Sequence, residues 1–145
     1  MLSMNKYDQS YIDACRASVE RQITAYDGLT KVARDLSKDG EAPLDEAIAA
    51  FEPLFFNNMV LVLDALFCHR SRTMEGKDGN PLNEVRVLAS SIMANDGLLV
   101  VEKSIKLRPD TSLLHYAAGD PIVLNESDFL RLSDAFFAEI ERRFR

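Results

Sequence analysis

The sequence predicts a mainly α-helical protein: a four-helix bundle with a longer irregular or short β-hairpin connection before the last helix. Three observations carry this expectation. Apolar residues recur at helical spacing in four separate stretches. Proline, glycine and capping residues punctuate the chain between those stretches. No repeat, low-complexity tract or linker divides the 145 residues, which points to one domain over residues 1–145 with a single core.

The first helix is expected from about Asp8 to Ser37. Ile12, Cys15, Val19, Ile23, Tyr26, Ala33 and Leu36 are spaced by three, four and seven, which puts them on one face. Gly28 interrupts the pattern mildly. "SKDGEAP" ends it, with Gly40 suited to a left-handed stop and Pro43 to opening the next helix.

The second helix, from about Pro43 to Thr73, is the most hydrophobic. Pro53 lies inside it, where the ring removes a backbone donor and clashes with the preceding turn. The segment is therefore expected to bend near Glu52 or to split, with a longer helix starting at Pro53. Beyond the loop "EGKDGNP", Asn80 is placed to cap and Pro81 to start a third helix, "PLNEVRVLASSIMAN". We expect that helix to carry on past Gly97. Residues 106–124 lose the helical period, and "PIVL" has the bounded, β-branched look of a short strand. Asn125 or Ser127 then caps a last helix with an apolar face of Phe129, Leu132, Ala135, Phe136, Ile140 and Phe144.

Composition narrows the function. Apolar residues are 47% of the chain, charged residues 28%, and the formal charge is −6. That balance opposes nucleic-acid binding, which needs clustered Lys and Arg. The start, "MLSMNKYDQS", has no apolar core of a signal peptide, and "MVLVLDALFC" is about half a membrane span. The two cysteines, Cys15 and Cys68, read as reduced core thiols. A cytoplasmic protein that does not engage membranes is expected.

Candidate site residues come from "FFNNMVLVLDALFCHRSR", residues 55–72, where polar groups interrupt the most apolar stretch. Asn58 and His69 are eleven residues apart, about three turns, and share a helical line with Phe55, Val62, Ala65 and Leu66. This suggests an internal pocket in which Asn58, His69, Arg72 and Gln22 contact a small polar or anionic ligand. The competing explanation is a satisfied polar layer that fixes helix register. Arg70 and Arg72 could form an anion-binding rim, or simply complement the helix's negative end. Asp64 needs a partner, and Arg86, Arg16 and Arg21 are candidates.

Familiar catalytic patterns do not fit. Neither His69 nor His115 has a glutamate three residues before it, as a di-iron bundle requires. Cys68 and His69 diverge by about 100° on a helix, which disfavours zinc. "GKDGN" lacks phosphate-loop spacing. No metal or cofactor is expected. The leading expectation is a non-enzymatic helical interaction or scaffold protein, homodimeric through the spare apolar face of the second helix and the C-terminal pair of phenylalanines. The alternatives are a small-ligand or anion-binding bundle around His69, and an enzyme using His69 as acid or base with Asp64 or Glu75 nearby.

Overall fold

Residues Ile12, Cys15, Val19, Ile23, Tyr26 and Thr30 lie buried along one side of a single long helix, as their spacing requires. The structure, a computed structural model describing residues 2–37 and 42–145, is mainly helical. Among the described residues five helices follow one another: α1 (Gln9–Leu36), α2 (Ala42–Leu66), α3 (Arg72–Glu75), α4 (Pro81–Ala94) and α5 (Glu126–Phe144). Among the described residues there is no strand, only two isolated bridges, Met4 with Arg70 and Leu98 with Pro121. The left-handed stop expected at Gly40 lies outside the described residues.

α2 is the centre of the fold, packed against α1, α4 and α5. Its inner side carries Phe56, Met59, Val60 and Leu63, which meet Phe129, Phe136, Phe137 and Ile140 from α5 and Leu82, Val85 and Leu88 from α4. α5 runs antiparallel to α1. Tyr7 N–H donates to the Phe144 carbonyl (2.6 Å) and Arg16 pairs with Glu141 at one end. At the other end, Glu126 N–H donates to Glu52 Oε1 (3.0 Å). α4 runs antiparallel to α2, because the Leu82 carbonyl meets Arg70 while Met93 and Leu61 face the same groove.

Among the described residues these levels leave one part of the fold unflanked. α5 begins beside Glu52, so the last nine residues of α1 and the first ten of α2 extend past it as a helical arm about 13 Å long. Only Thr30 and Ile48 are buried there.

Several expectations need correction. α2 passes through Pro53 unbroken, so the segment is not split. It ends at Leu66 rather than Thr73, because residues 67–70 tighten into i→i+3 turns, Phe67 to Asp64, Cys68 to Ala65 and Arg70 to Phe67. α2 is also the one helix, among the described residues, long and apolar enough to cross a membrane. α4 stops at Ala94, because Gly97 turns at φ +73° and its N–H returns to the Ser91 carbonyl.

"PIVL" is no strand: its pairing stops at the Leu98–Pro121 bridge and the Ile122 N–H bond to the Gly97 carbonyl, after which side chains meet its backbone groups. Asn57 bonds the Ile122 carbonyl and the Leu124 N–H, and the Tyr116 hydroxyl accepts from Val123 N–H. Buried Glu84 pins the same connection by accepting from Leu113 and Leu114 N–H at 2.8 and 3.0 Å. Burial pushes its carboxyl above the ordinary value, although those two bonds pull the other way. The expected caps form. The Asn80 side chain accepts from Leu82 N–H, and Asn125 closes a reciprocal capping box with Asp128.

Candidate functional site

The segment from Asp64 to Arg86 combines two ends of helix and a loop, and its polar groups divide into a buried lattice and an exposed surface. Arg70 enters the core because the 67–70 turn aims it inward. Its guanidinium is fully buried over the Phe136 ring. Nε donates to Glu75 Oε1 (2.6 Å), Nη2 to Asp64 Oδ1 (2.9 Å) and Nη1 to the Phe67 carbonyl (3.0 Å). Glu75, equally buried, also accepts from Arg86 Nη2 (2.7 Å), Arg86 Nε (3.0 Å) and Asn83 Nδ2 (2.8 Å).

Burial alone would push the Glu75 carboxyl upward. The Arg86 hydrogen bonds and the charges of Arg70 and Arg86 overcome it and hold the group below its ordinary value. The lattice fixes the loop as well. The Glu75 carbonyl receives Asn80 Nδ2 and Arg143 Nη1, both at 2.8 Å, and Asn83 Oδ1 receives Gly79 N–H. Paired and hydrogen-bonded charges of this kind resist separation strongly when one partner is removed.

This arrangement revises the sequence-based assignment of partners. Asp64 pairs with Arg70 rather than Arg86, Arg16 or Arg21. Arg70 cannot form an exposed anion rim, since its donors are spent inside. Glu75, Asn83 and Arg86 form the centre of the lattice, and sequence reasoning did not single out that set. The signal was the polar run "EGKDGNPLNEVR", whose spacing places Glu75, Asn83 and Arg86 eight and eleven residues apart, across a loop.

The four residues expected to share a pocket do not converge. Asn58 and His69 are both exposed. The reason is that α2's buried line is Phe56, Met59, Val60 and Leu63, leaving the Asn58 line on the outside, half covered at Phe55, Val62 and Leu66. His69 also lies past the helix end, so the eleven-residue spacing no longer sets its direction. Gln22 is half-buried and donates to the Ser18 carbonyl of its own helix (3.4 Å). Arg72 is half exposed, 3.5 Å from Glu102. Neither Asp64 nor Glu75 is bonded to His69, both being held by arginines.

Two open grooves adjoin along Ala65 and Cys68. The first, about 710 Å³, holds His69 beside Tyr7, Tyr11, Lys6 and Asp8. Tyr7 and Tyr11 stack there with centroids 5.7 Å apart, and the Tyr11 hydroxyl donates to the Leu66 carbonyl. Burial, with a hydrogen bond to Cys15, pushes the Tyr11 phenol up to about 12. The second, about 610 Å³, is lined by charges of both signs, Arg72 and Arg86 with Asp64 and Glu102. Cys15 is buried as expected, but Cys68 is exposed on the ridge between the grooves. Among the described residues no group of three or more His, Cys, Asp or Glu is placed to hold a metal ion.

Comparison with protein-family models, with curated proteins and with solved structures returned no match.

Proposed function

We propose that this chain is a non-enzymatic helical interaction protein that self-associates through the arm formed by the end of α1 and the start of α2. In this reading α1, α2, α4 and α5 form a four-helix bundle that supports the arm, and the protein works in the cytoplasm with both thiols free.

One observation carries the reading. Leu29, Val32, Leu36, Phe51 and Leu54, clustered on the arm and at its base, are each 48–78% exposed. Leu29, Val32 and Leu36 are spaced three and four apart on α1. Ala47, Phe51 and Leu54 are spaced four and three on α2. Between the two stripes lies a shallow apolar groove of about 280 Å³, lined by Leu29, Ala33, Ala47, Ile48 and Phe51. A contiguous apolar surface of this kind marks an interaction site far better than scattered exposed residues do.

A second copy of the chain suits the surface. On the arm α1 carries Lys31 and Arg34 against one acid, Asp35, while α2 carries Asp45 and Glu46; within one copy Arg34 and Asp45 meet only loosely, at 3.9 Å and mostly exposed. A two-fold axis that lays α1 of one copy on α2 of the other brings the apolar stripes together and opposes unlike charges. The arm's base is firm, because Tyr26 stacks on Phe55 (4.9 Å) and Phe51 (6.2 Å) across the hairpin.

Sedimentation equilibrium between about 1 and 100 µM, the range in which an interface of modest size dissociates, tests this. The wild type is expected to dimerise. Leu36→Glu combined with Leu54→Glu, both at exposed positions, is expected to leave a monomer with unchanged helical circular dichroism. A wild-type chain that stays strictly monomeric at the highest concentration overturns the reading.

A further inference from the structure

The groove between α2, α3 and α4 presents both signs of charge with unusual economy, and this occurs away from the arm. Arg86 spends Nε and Nη2 on buried Glu75. Its Nη1 carries no hydrogen bond among the described residues. Asp64 spends Oδ1 on Arg70, and its Oδ2 is likewise unpartnered. Neither atom is among the buried unpaired ones, so solvent reaches both. Their side chains are only 19% and 29% exposed. A donor and an acceptor are thus held in place from behind by one Arg70–Glu75 pair, and both residues line the same groove.

Preorganisation matters because little side-chain entropy remains to be lost on binding. At the rim, Arg72 and Glu102 sit 3.5 Å apart and about half exposed, a weak pair that can open to supply a second donor and acceptor. A simple anion drawn to Arg86 would meet Asp64 and Glu102. A simple cation drawn to Asp64 would meet Arg72 and Arg86. A molecule bearing a carboxylate and an ammonium group satisfies both signs, and each charge then has an opposite partner.

The rest of the wall is apolar. Leu61 and Ala65 from α2 face Ala89 and Met93 from α4. Met93 is 73% exposed, and its flexible thioether is suited to closing over an aliphatic chain. The volume, about 610 Å³, falls within the range of small-molecule sites. We propose that this groove binds a small zwitterion, an α-amino acid with an aliphatic side chain.

The experiment titrates the full-length protein with three near-isosteric probes, L-leucine, 4-methylpentanoate and 3-methylbutylamine, and follows amide shifts by NMR. L-leucine is expected to saturate at or below roughly 1 mM, with shifts centred on Leu61, Arg86, Ser90 and Met93, and each single-charge probe to bind at least about tenfold more weakly. Arg72→Gln and Met93→Asp, both at exposed positions, are expected to weaken L-leucine about threefold or more while leaving the spectrum folded. Absence of saturation by L-leucine at about 20 mM, some twentyfold above the expected dissociation constant, overturns the proposal. So does equal binding of the three probes, or wild-type affinity in both variants.

Discussion

Replacing Glu75 by Gln is the sharpest test of the buried lattice. The substitution keeps the shape and removes one negative charge. Arg70, fully buried, would then be neutralised only through the single 2.9 Å bond to Asp64. Arg86 now shares three contacts with the two Glu75 oxygens; the amide would keep one acceptor, turn a donor toward Arg86 or Asn83 in place of the other, and leave Arg86 without its counter-charge. Removing one partner from a buried, hydrogen-bonded ion pair costs about 3–5 kcal/mol, because the remaining charge stays desolvated. With a urea dependence of roughly 2 kcal/mol per molar for a small domain, the midpoint should fall by about 2 M. Urea titration followed by circular dichroism measures this. Arg72→Gln is the control, since its exposed pair with Glu102 should be worth less than about 1 kcal/mol. Replacing the pair together, Arg70→Met with Glu75→Leu, should recover part of the loss, since no fully buried charge remains and the groups that lose a partner, Asp64 and Arg86, still reach solvent. The pH dependence has a definite sign. The Glu75 carboxyl lies below its ordinary value of 4.5, so its contribution is complete above that pH and is lost as pH falls through the folded value. If Glu75→Gln costs no more than Arg72→Gln, the lattice does not hold the loop and the reasoning fails.

Three further outcomes follow from particular contacts. At the arm's base, a hydrogen bond to Asp27, burial and the nearby charges of Asp27 and Glu52 push the Glu126 carboxyl up to about 7. Its stabilising effect is therefore full below about 4.5 and is lost as pH rises through 7; melting curves across pH 4–8 should show that decline, flattened in Glu126→Gln. Gly79→Ala should destabilise by more than about 2 kcal/mol, because φ is +85° and a Cβ would lie 2.4 Å from the Lys106 carbonyl oxygen; equilibrium unfolding checks it. A thiol-reactive disulfide reagent should modify exposed Cys68 first and Cys15 about 100-fold more slowly, since burial pushes the Cys15 thiol up; equal rates would contradict the placement of α1.

Local chemistry made much of the architecture legible in the sequence. Asn80 followed by Pro81, and Asn125 with Asp128 three residues on, mark helix starts because the capping bonds are made within one turn. The core face of α5, and that of α1 as far as Tyr26, were readable because each has a single apolar stripe against a polar remainder; Leu36, at the end of the α1 stripe, is 78% exposed because α5 does not reach it. α2 offered no such contrast. It is apolar on several sides, so periodicity did not say which side faces in, and the Asn58 line turned out to face outward.

Tertiary structure decided the rest. Arg70 and Arg72 stand two residues apart with the same side chain, yet one is sealed in the core and the other is half exposed. That difference depends on the turn ending α2 at Leu66, and on Glu75, Asn83 and Arg86 arriving from across a loop. The amino-acid sequence determined by itself that the chain would be helical, where most helices begin, and that segment 55–72 would carry polar groups in an apolar setting. Which of those groups are buried, and which charges meet, depended on contacts between residues distant along the chain, because the energy of burying an ion is decided by the partner that packing delivers.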